Sequence, residues 1–168
     1  MTDECPQLEL HDYWDFCPPY EFHADKVSYD RVLRAIDNGD GTWTSEAYTV
    51  CLPYDIDLTE QREAGKIRVC ELYFIKDNKE FVFSNTDPYL KAGHPYVIVV
   101  HEGELILNAE DADLITEADE GREVYNWDIN DESGALGTWK GTLRRIKSAD
   151  AADMYAFGLW TYDGVPYK

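Results

Sequence analysis

Residues 95–100, Pro-Tyr-Val-Ile-Val-Val, set four β-branched side chains in succession. Such side chains crowd a helix and fit a pleated surface, and a run without polar alternation suits a strand covered on both faces. The chain must therefore build a sheet with material on either side of it. More strands of the same kind lie nearby. Residues 26–36, 42–54, 66–75 and 80–84 are rich in β-branched and aromatic residues and are separated by turn signals. Asn38-Gly39 and Asp40-Gly41 supply the positive φ angles of a tight hairpin. Residues 55–65 read as a polar connection, and residues 87–94 as a turn or a single helical turn. Residues 104–107, 123–129, 138–146 and 154–161 add strands. The acidic stretch 108–122 has room for a helical turn. Only residues 148–153 read clearly as helix, with Ser148 as N-cap.

The expected fold class is all-β, an antiparallel β-sandwich or jelly-roll-like domain with one short helix, spanning residues 26–168. Its core should include Val50, Leu52, Val69, Leu72, Phe81, Phe83, Val97, Val99, Leu105, Leu107 and Leu143. Residues 1–25 read as an irregular, aromatic-rich arm, because Cys17-Pro18-Pro19 can continue neither a helix nor a central strand. A disordered tail would be poor in aromatics, so this arm should pack onto the domain.

Charge narrows the function classes. The chain carries 34 acids against 15 Lys and Arg, a formal net charge of −19. A sequence-independent nucleic-acid binder needs clustered cations, so that class is excluded. No apolar run approaches the ~18 residues of a membrane helix, so membrane insertion is not expected. Twelve of the acids fall in residues 101–135 beside a single base, Arg122. They read as solvated faces; a cation site and a mimic of nucleic-acid charge are the sharper alternatives.

Motifs of catalysis are missing: no His-Glu-x-x-His, Gly-x-Ser-x-Gly, phosphate-binding loop or dinucleotide fingerprint occurs. His11, His23, His94 and His101 are scattered and read as surface or turn residues. No enzyme activity and no cofactor are expected. Calcium has two weak candidate sites. Residues 37–41 have ligand-type side chains without EF-hand spacing, and Asp128, Asn130 and Glu132 alternate oxygen ligands with a glycine one place late. Both read better as turns. Cys51 and Cys70 sit in strand-like runs as free buried thiols, while Cys5 and Cys17 lie in the arm, where they could clip to each other.

The aromatic residues point to binding. Trp43, Trp127, Trp139 and Trp160 have apolar or β-branched neighbours and read as core. The arm gathers Tyr13, Trp14, Phe16 and Tyr20 among Asp12, Asp15 and Glu21. Aromatic anchors ringed by charge suit a protein interface, and Trp14 is the residue expected to be exposed.

Several stretches carry a resemblance. Thr42-Trp43 followed by Thr49-Val50-Cys51-Leu52-Pro53-Tyr54-Asp55, then Val69-Cys70-Glu71-Leu72, then Leu90-Lys91-Ala92-Gly93-His94-Pro95-Tyr96-Val97-Ile98 and Gly137-Thr138-Trp139-Lys140-Gly141-Thr142 form the set. Together they resemble a β-sandwich accessory module of surface and secreted proteins from gut Bacteroidetes and other anaerobes, often found beside leucine-rich or other repeat arrays. The likeness runs over residues 27–160, and the Ala-Gly-x-Pro-Tyr step at 92–96 is its most specific part. It implies an extracellular or cell-surface accessory module without assigned catalytic residues.

The N-terminal residues 1–6 lack the basic and apolar regions of a secretory signal. They fit a cytosolic protein or a piece of a longer chain, and the abrupt end at Gly164-Val165-Pro166-Tyr167-Lys168 reads as a cut. The expected function is non-catalytic binding, of protein more than of sugar. The partner would be a host or bacterial protein, or a neighbouring domain of a longer chain. The alternatives are a glycan-binding module of a carbohydrate-active enzyme and a cytosolic acidic inhibitor that mimics DNA.

Overall fold

The computed structural model describes residues 4–12, 14–76, 80–126, 134–143, 161–162 and 165–166. In chain order the strands are β1 (Glu4–Cys5), β2 (Leu8–Leu10), β3 (Phe22–Tyr29), β4 (Val32–Arg34), β5 (Ile36–Asp37), β6 (Trp43–Thr44), β7 (Glu46–Cys51) and β8 (Ile56–Asp57). The helix α1 (Thr59–Glu63) follows, then β9 (Ile67–Lys76), β10 (Glu80–Asn85), β11 (Tyr89–Leu90), β12 (Pro95–Val100), β13 (Glu104–Ile106) and β14 (Ala109–Leu114). The set ends with β15 (Arg122–Asn126), β16 (Gly137–Trp139), β17 (Thr161–Tyr162) and β18 (Val165–Pro166). Strand predominates among the described residues, at 53%, so the fold is all-β.

Two larger sheets carry the architecture. In the first, β3 pairs with β14 on one edge and with β1 and β2 on the other. In the second the order is β16-β15-β9-β12-β7, with β10 also on β9. Most pairings are antiparallel; β1 and β2 on β3, and β15 on β9, are parallel. One core joins the sheets: Ala24, Val27, Ala112 and Leu114 from the first pack with Val50, Val69, Ile98 and Val100 from the second. The β4–β13 pair adds Leu33 and Leu105.

The central strand β12 is covered on both sides, as its composition requires. Tyr96, Ile98 and Val100 enter the main core. Val97 faces the opposite way, onto a smaller cluster of Leu72, Val124 and Trp139. The main core therefore takes the even residues of β12, while the expected Val97 and Val99 are half-buried on the other face. Val50, Leu52, Val69, Leu72, Leu105 and Leu107 are buried as expected, and Phe83 and Leu143 half-buried. Phe81 is a correction: it is 42% exposed. A register shift between Val82 and Phe83 separates it from the part of β10 that packs on the small cluster, and it lies opposite Ile75 at the connected end of the β9–β10 pair.

Three further expectations change. The arm is not irregular throughout, since β1 and β2 run parallel to β3; among its described residues 6–7, 11–12 and 14–21 lack strand or helix. Residues 109–114 form strand rather than a helical turn, because Ala112 and Leu114 alternate into the core opposite Ala24 and Phe22. The helix α1 lies inside the stretch read as a polar connection; it is a single turn with no buried residue, so it has no apolar stripe to detect. The helix expected at 148–153 lies outside the described residues. All four cysteines are free, with Cys70 buried and Cys17 exposed.

Candidate functional site

The segment after β2 is fixed at both ends. Asp30 is the first anchor: one carboxylate oxygen accepts the Asp12 amide at 2.9 Å, and the other lies 2.8 Å from His11 Nδ1. The Asp12 amide chiefly, and His11 next, hold the Asp30 carboxyl below its ordinary range. Asp12 in turn accepts the Tyr29 hydroxyl at 2.7 Å and lies 3.5 Å from Arg31 Nε. Arg31 Nη1 donates to the Thr49 carbonyl at 3.0 Å, tying this network to β7. Burial first, and the Asp12 carboxylate second, push the Tyr29 phenol well above its ordinary range, so it stays a donor. At the far end the Phe16 amide donates to the Leu143 carbonyl at 2.9 Å, and the Phe16 ring packs 6.4 Å from that of Phe22.

Between these anchors stands Trp14. Its amide donates to the His11 carbonyl at 3.0 Å and its ring lies 4.2 Å from the His11 ring, yet the residue is 72% exposed. It borders a groove of about 400 Å3 whose apolar lining includes Leu8, Leu10, Phe16, Leu52, Pro53 and Leu143. Glu9, Asp12 and Asp15 supply its acids. Of the residues expected to bind, Trp14 and Phe16 meet here, with Phe16 half-buried as part of the wall. Tyr20 is exposed but does not line the groove, and Tyr13 lies outside the described residues. Leu52-Pro53 and Thr142-Leu143 complete the lining; the sequence marked Leu52 and Leu143 only as core, because these segments lie far along the chain from Trp14.

A polar centre at the start of β12 explains the 92–96 step. Gly93 has φ +75°, and a Cβ there would stand 2.7 Å from Ile115 Cδ1 and 3.0 Å from the Asp119 amide nitrogen. Only glycine combines that angle with that approach. The Gly93 amide can then donate to the Leu52 carbonyl at 2.7 Å while its carbonyl accepts the Asp119 amide at 3.1 Å. Asp55 accepts the Ala92 amide at 2.7 Å and Lys91 Nζ at 2.8 Å. Burial raises the Asp55 carboxyl, but these two donors outweigh it and leave the group below its ordinary range. The Tyr96 hydroxyl accepts the Lys91 amide at 3.1 Å, and Trp139 Nε1 donates to the Pro95 carbonyl at 3.0 Å. Each residue of the step thus closes a corner of the fold.

His94 sits in that corner, 2.7 Å from Asp119 Oδ2 through Nδ1 and 3.2 Å from Glu71 Oε1 through Nε2. Both ring nitrogens are thus engaged by carboxylates. Cys51, nearby, has its thiol pushed up to about 12, by burial first and the Asp119 charge second. A protonated thiol is no nucleophile at neutral pH. Gly141 packs directly over it, where a Cβ would stand 2.3 Å from the sulfur. His23 likewise engages Asp113 at 2.9 Å and Asp111 at 3.2 Å, and His101 engages Ser45 at 2.8 Å.

Among the described residues no group of His, Cys, Asp and Glu side chains is arranged to hold a metal ion. The candidates Asp128, Asn130 and Glu132 lie outside those residues. Residues 37–41 form the hairpin turn between β5 and β6, with Asp40 accepting from the Thr42 amide and hydroxyl. The reading of the strand tryptophans as core divides. Trp139 is buried, Trp127 and Trp160 lie outside the described residues, and Trp43 is 38% exposed. Trp43 stands on a two-residue strand, too short for its pattern to reveal which face is covered. It borders a second cleft, of about 540 Å3. Comparisons with known protein families, curated proteins and solved structures find no match for the chain.

Proposed function

We propose that the chain is a non-catalytic binding module and that the groove beside Trp14 takes a protein segment carrying basic residues next to an apolar side chain. The observation that carries this reading is Trp14 itself. A largely exposed indole costs free energy in water, yet here its backbone is pinned by Asp30, His11 and Leu143 rather than left free to bury it. Pre-organised aromatic anchors over an apolar pocket are the usual hot spots of protein recognition. The acids Glu9, Asp12 and Asp15, within a chain of net charge −19, favour a basic partner and speed its approach. The resemblance to accessory modules of surface proteins supports an extracellular or cell-surface setting, with a host or bacterial protein, or a neighbouring domain, as the partner.

A peptide array that varies charge and apolar content independently tests the assignment. The expected hits combine Lys or Arg with an aliphatic or aromatic residue. Trp14→Ala should weaken them by at least about tenfold, the scale of a hot spot. Association should slow as salt is raised. Hits that survive Trp14→Ala, or that ignore charge, would sink the reading.

A further inference from the structure

We propose a second binding site: the cleft bordered by Trp43 takes a pyranose ring of a neutral glycan. The cleft lies between the β5–β6 hairpin, the start of β7 and the turn before β13, and its volume of about 540 Å3 falls within the ~300–1,000 Å3 of small-ligand sites. Trp43 and Ile36 are both exposed there and lie on paired strands, Ile36 opposite Thr44 and Asp37 opposite Trp43. That register turns Trp43 and Asp37 to one face of the hairpin and Ile36 to the other, so the indole offers its apolar surface beside a carboxylate.

That mixture matches a sugar better than a peptide side chain. A pyranose has one apolar face of C–H bonds and a rim of hydroxyls. It needs an aromatic surface beneath it and planar acceptors and donors around it. Arg34, Asp37, Glu46 and Glu104 line the cleft and supply them. The Trp14 groove, by contrast, has a broad aliphatic lining suited to Leu-like side chains. The wall is also pre-organised. The Tyr48 hydroxyl donates to the Arg34 carbonyl at 2.7 Å and lies 3.3 Å from the Arg34 amide, which donates to it. This clamps β7 to β4 before any ligand arrives.

Charge selects the class of glycan. Three carboxylates line the cleft against one guanidinium, and Arg34 Nη2 already lies 3.5 Å from Glu104 Oε1. Uronates, sialates and sulfated sugars would meet uncompensated negative charge. Neutral hydroxyls would find acceptors.

An array of neutral and acidic oligosaccharides, probed with the intact chain and followed by titration calorimetry on the hits, tests the site. Neutral glycans should bind. Trp43→Ala should weaken them at least about tenfold, Trp43→Phe by much less, and Glu46→Gln several-fold. Trp14→Ala should leave glycan binding unchanged, which separates this site from the protein groove. If Trp43→Ala fails to fold by circular dichroism, Trp43→Phe and Glu46→Gln carry the test. Absence of neutral glycans among the hits would overturn the proposal. So would acidic glycans alone, or binding indifferent to Glu46→Gln and to every folded Trp43 variant. Competition at Trp43 by a cationic peptide in place of sugar would assign the cleft to a protein partner instead.

Discussion

Gly93 shows how one residue can fix a corner. A methyl group there would force a left-handed backbone on a residue with a Cβ and press it into Ile115 and the Asp119 amide. Gly93→Ala should therefore destabilise the fold by at least ~2 kcal/mol, combining the backbone and overpacking penalties. Urea unfolding measures it, and a loss under half that would place the corner's rigidity elsewhere. His23 works through charge. Its pKa is raised, chiefly by the hydrogen bond to Asp113; desolvation opposes this as the next largest effect, and the charges of Asp111, Asp113 and Asp25 add to the rise. The fold thus favours the imidazolium. That contribution is full below the unfolded value of about 6.5 and fades as pH rises through the higher folded value. Relative to His23→Gln, the wild type should gain stability as pH falls from about 8 to about 6. In an NMR titration Asp113→Asn should lower the His23 pKa more than Asp111→Asn does. A flat wild-type difference across that window would refute the role. Asp30, Asp40 and Asp57 act oppositely: their lowered carboxyls stabilise above the ordinary carboxylate value and lose that effect as pH falls from it through the lower folded values.

At the scale of elements, the joints matter more than the strands. The Tyr54 hydroxyl donates to the Leu107 carbonyl, deep in the core, and so ties the loop after β7 to the link between β13 and β14. Burial pushes that phenol well above its ordinary range, with a smaller effect from Tyr29. Tyr54→Phe keeps the ring but strands a buried carbonyl, so it should cost about 1–3 kcal/mol. Hydrogen exchange should show the loss at β13 and β14 first; a uniform loss across both sheets would deny the joint. Strand β14 shows tertiary context overriding propensity. Ala, Glu and Asp are poor strand formers, and Asp111 even takes φ +53°. Ala112 and Leu114 nonetheless find the core at a spacing of two, which no helix would allow.

Over the whole molecule, charge opposes compactness. A net −19 repels itself at low ionic strength, and many of the ion pairs lie at the surface where they stabilise little. The thermal midpoint should therefore rise by several degrees when sodium chloride is raised from about 10 to about 300 mM, as the Debye length shortens to less than ~10 Å. A fall would mean that the ion pairs outweigh the repulsion. The amino-acid sequence by itself determined the strand-rich class, the 38–41 hairpin turn, the doubly covered strand at 95–100 and the exposure of Trp14. Each rests on local chemistry: side-chain branching, glycine's freedom at positive φ, and an indole set among prolines and acids. Tertiary structure alone decided which face of β12 meets the main core, that Phe81 and Trp43 stay partly in water, and that Phe16 reaches Leu143 while Gly93 reaches Leu52. Those outcomes depend on a second segment far along the chain. The free energy of a non-local contact belongs to both partners at once, so neither segment's pattern contains it.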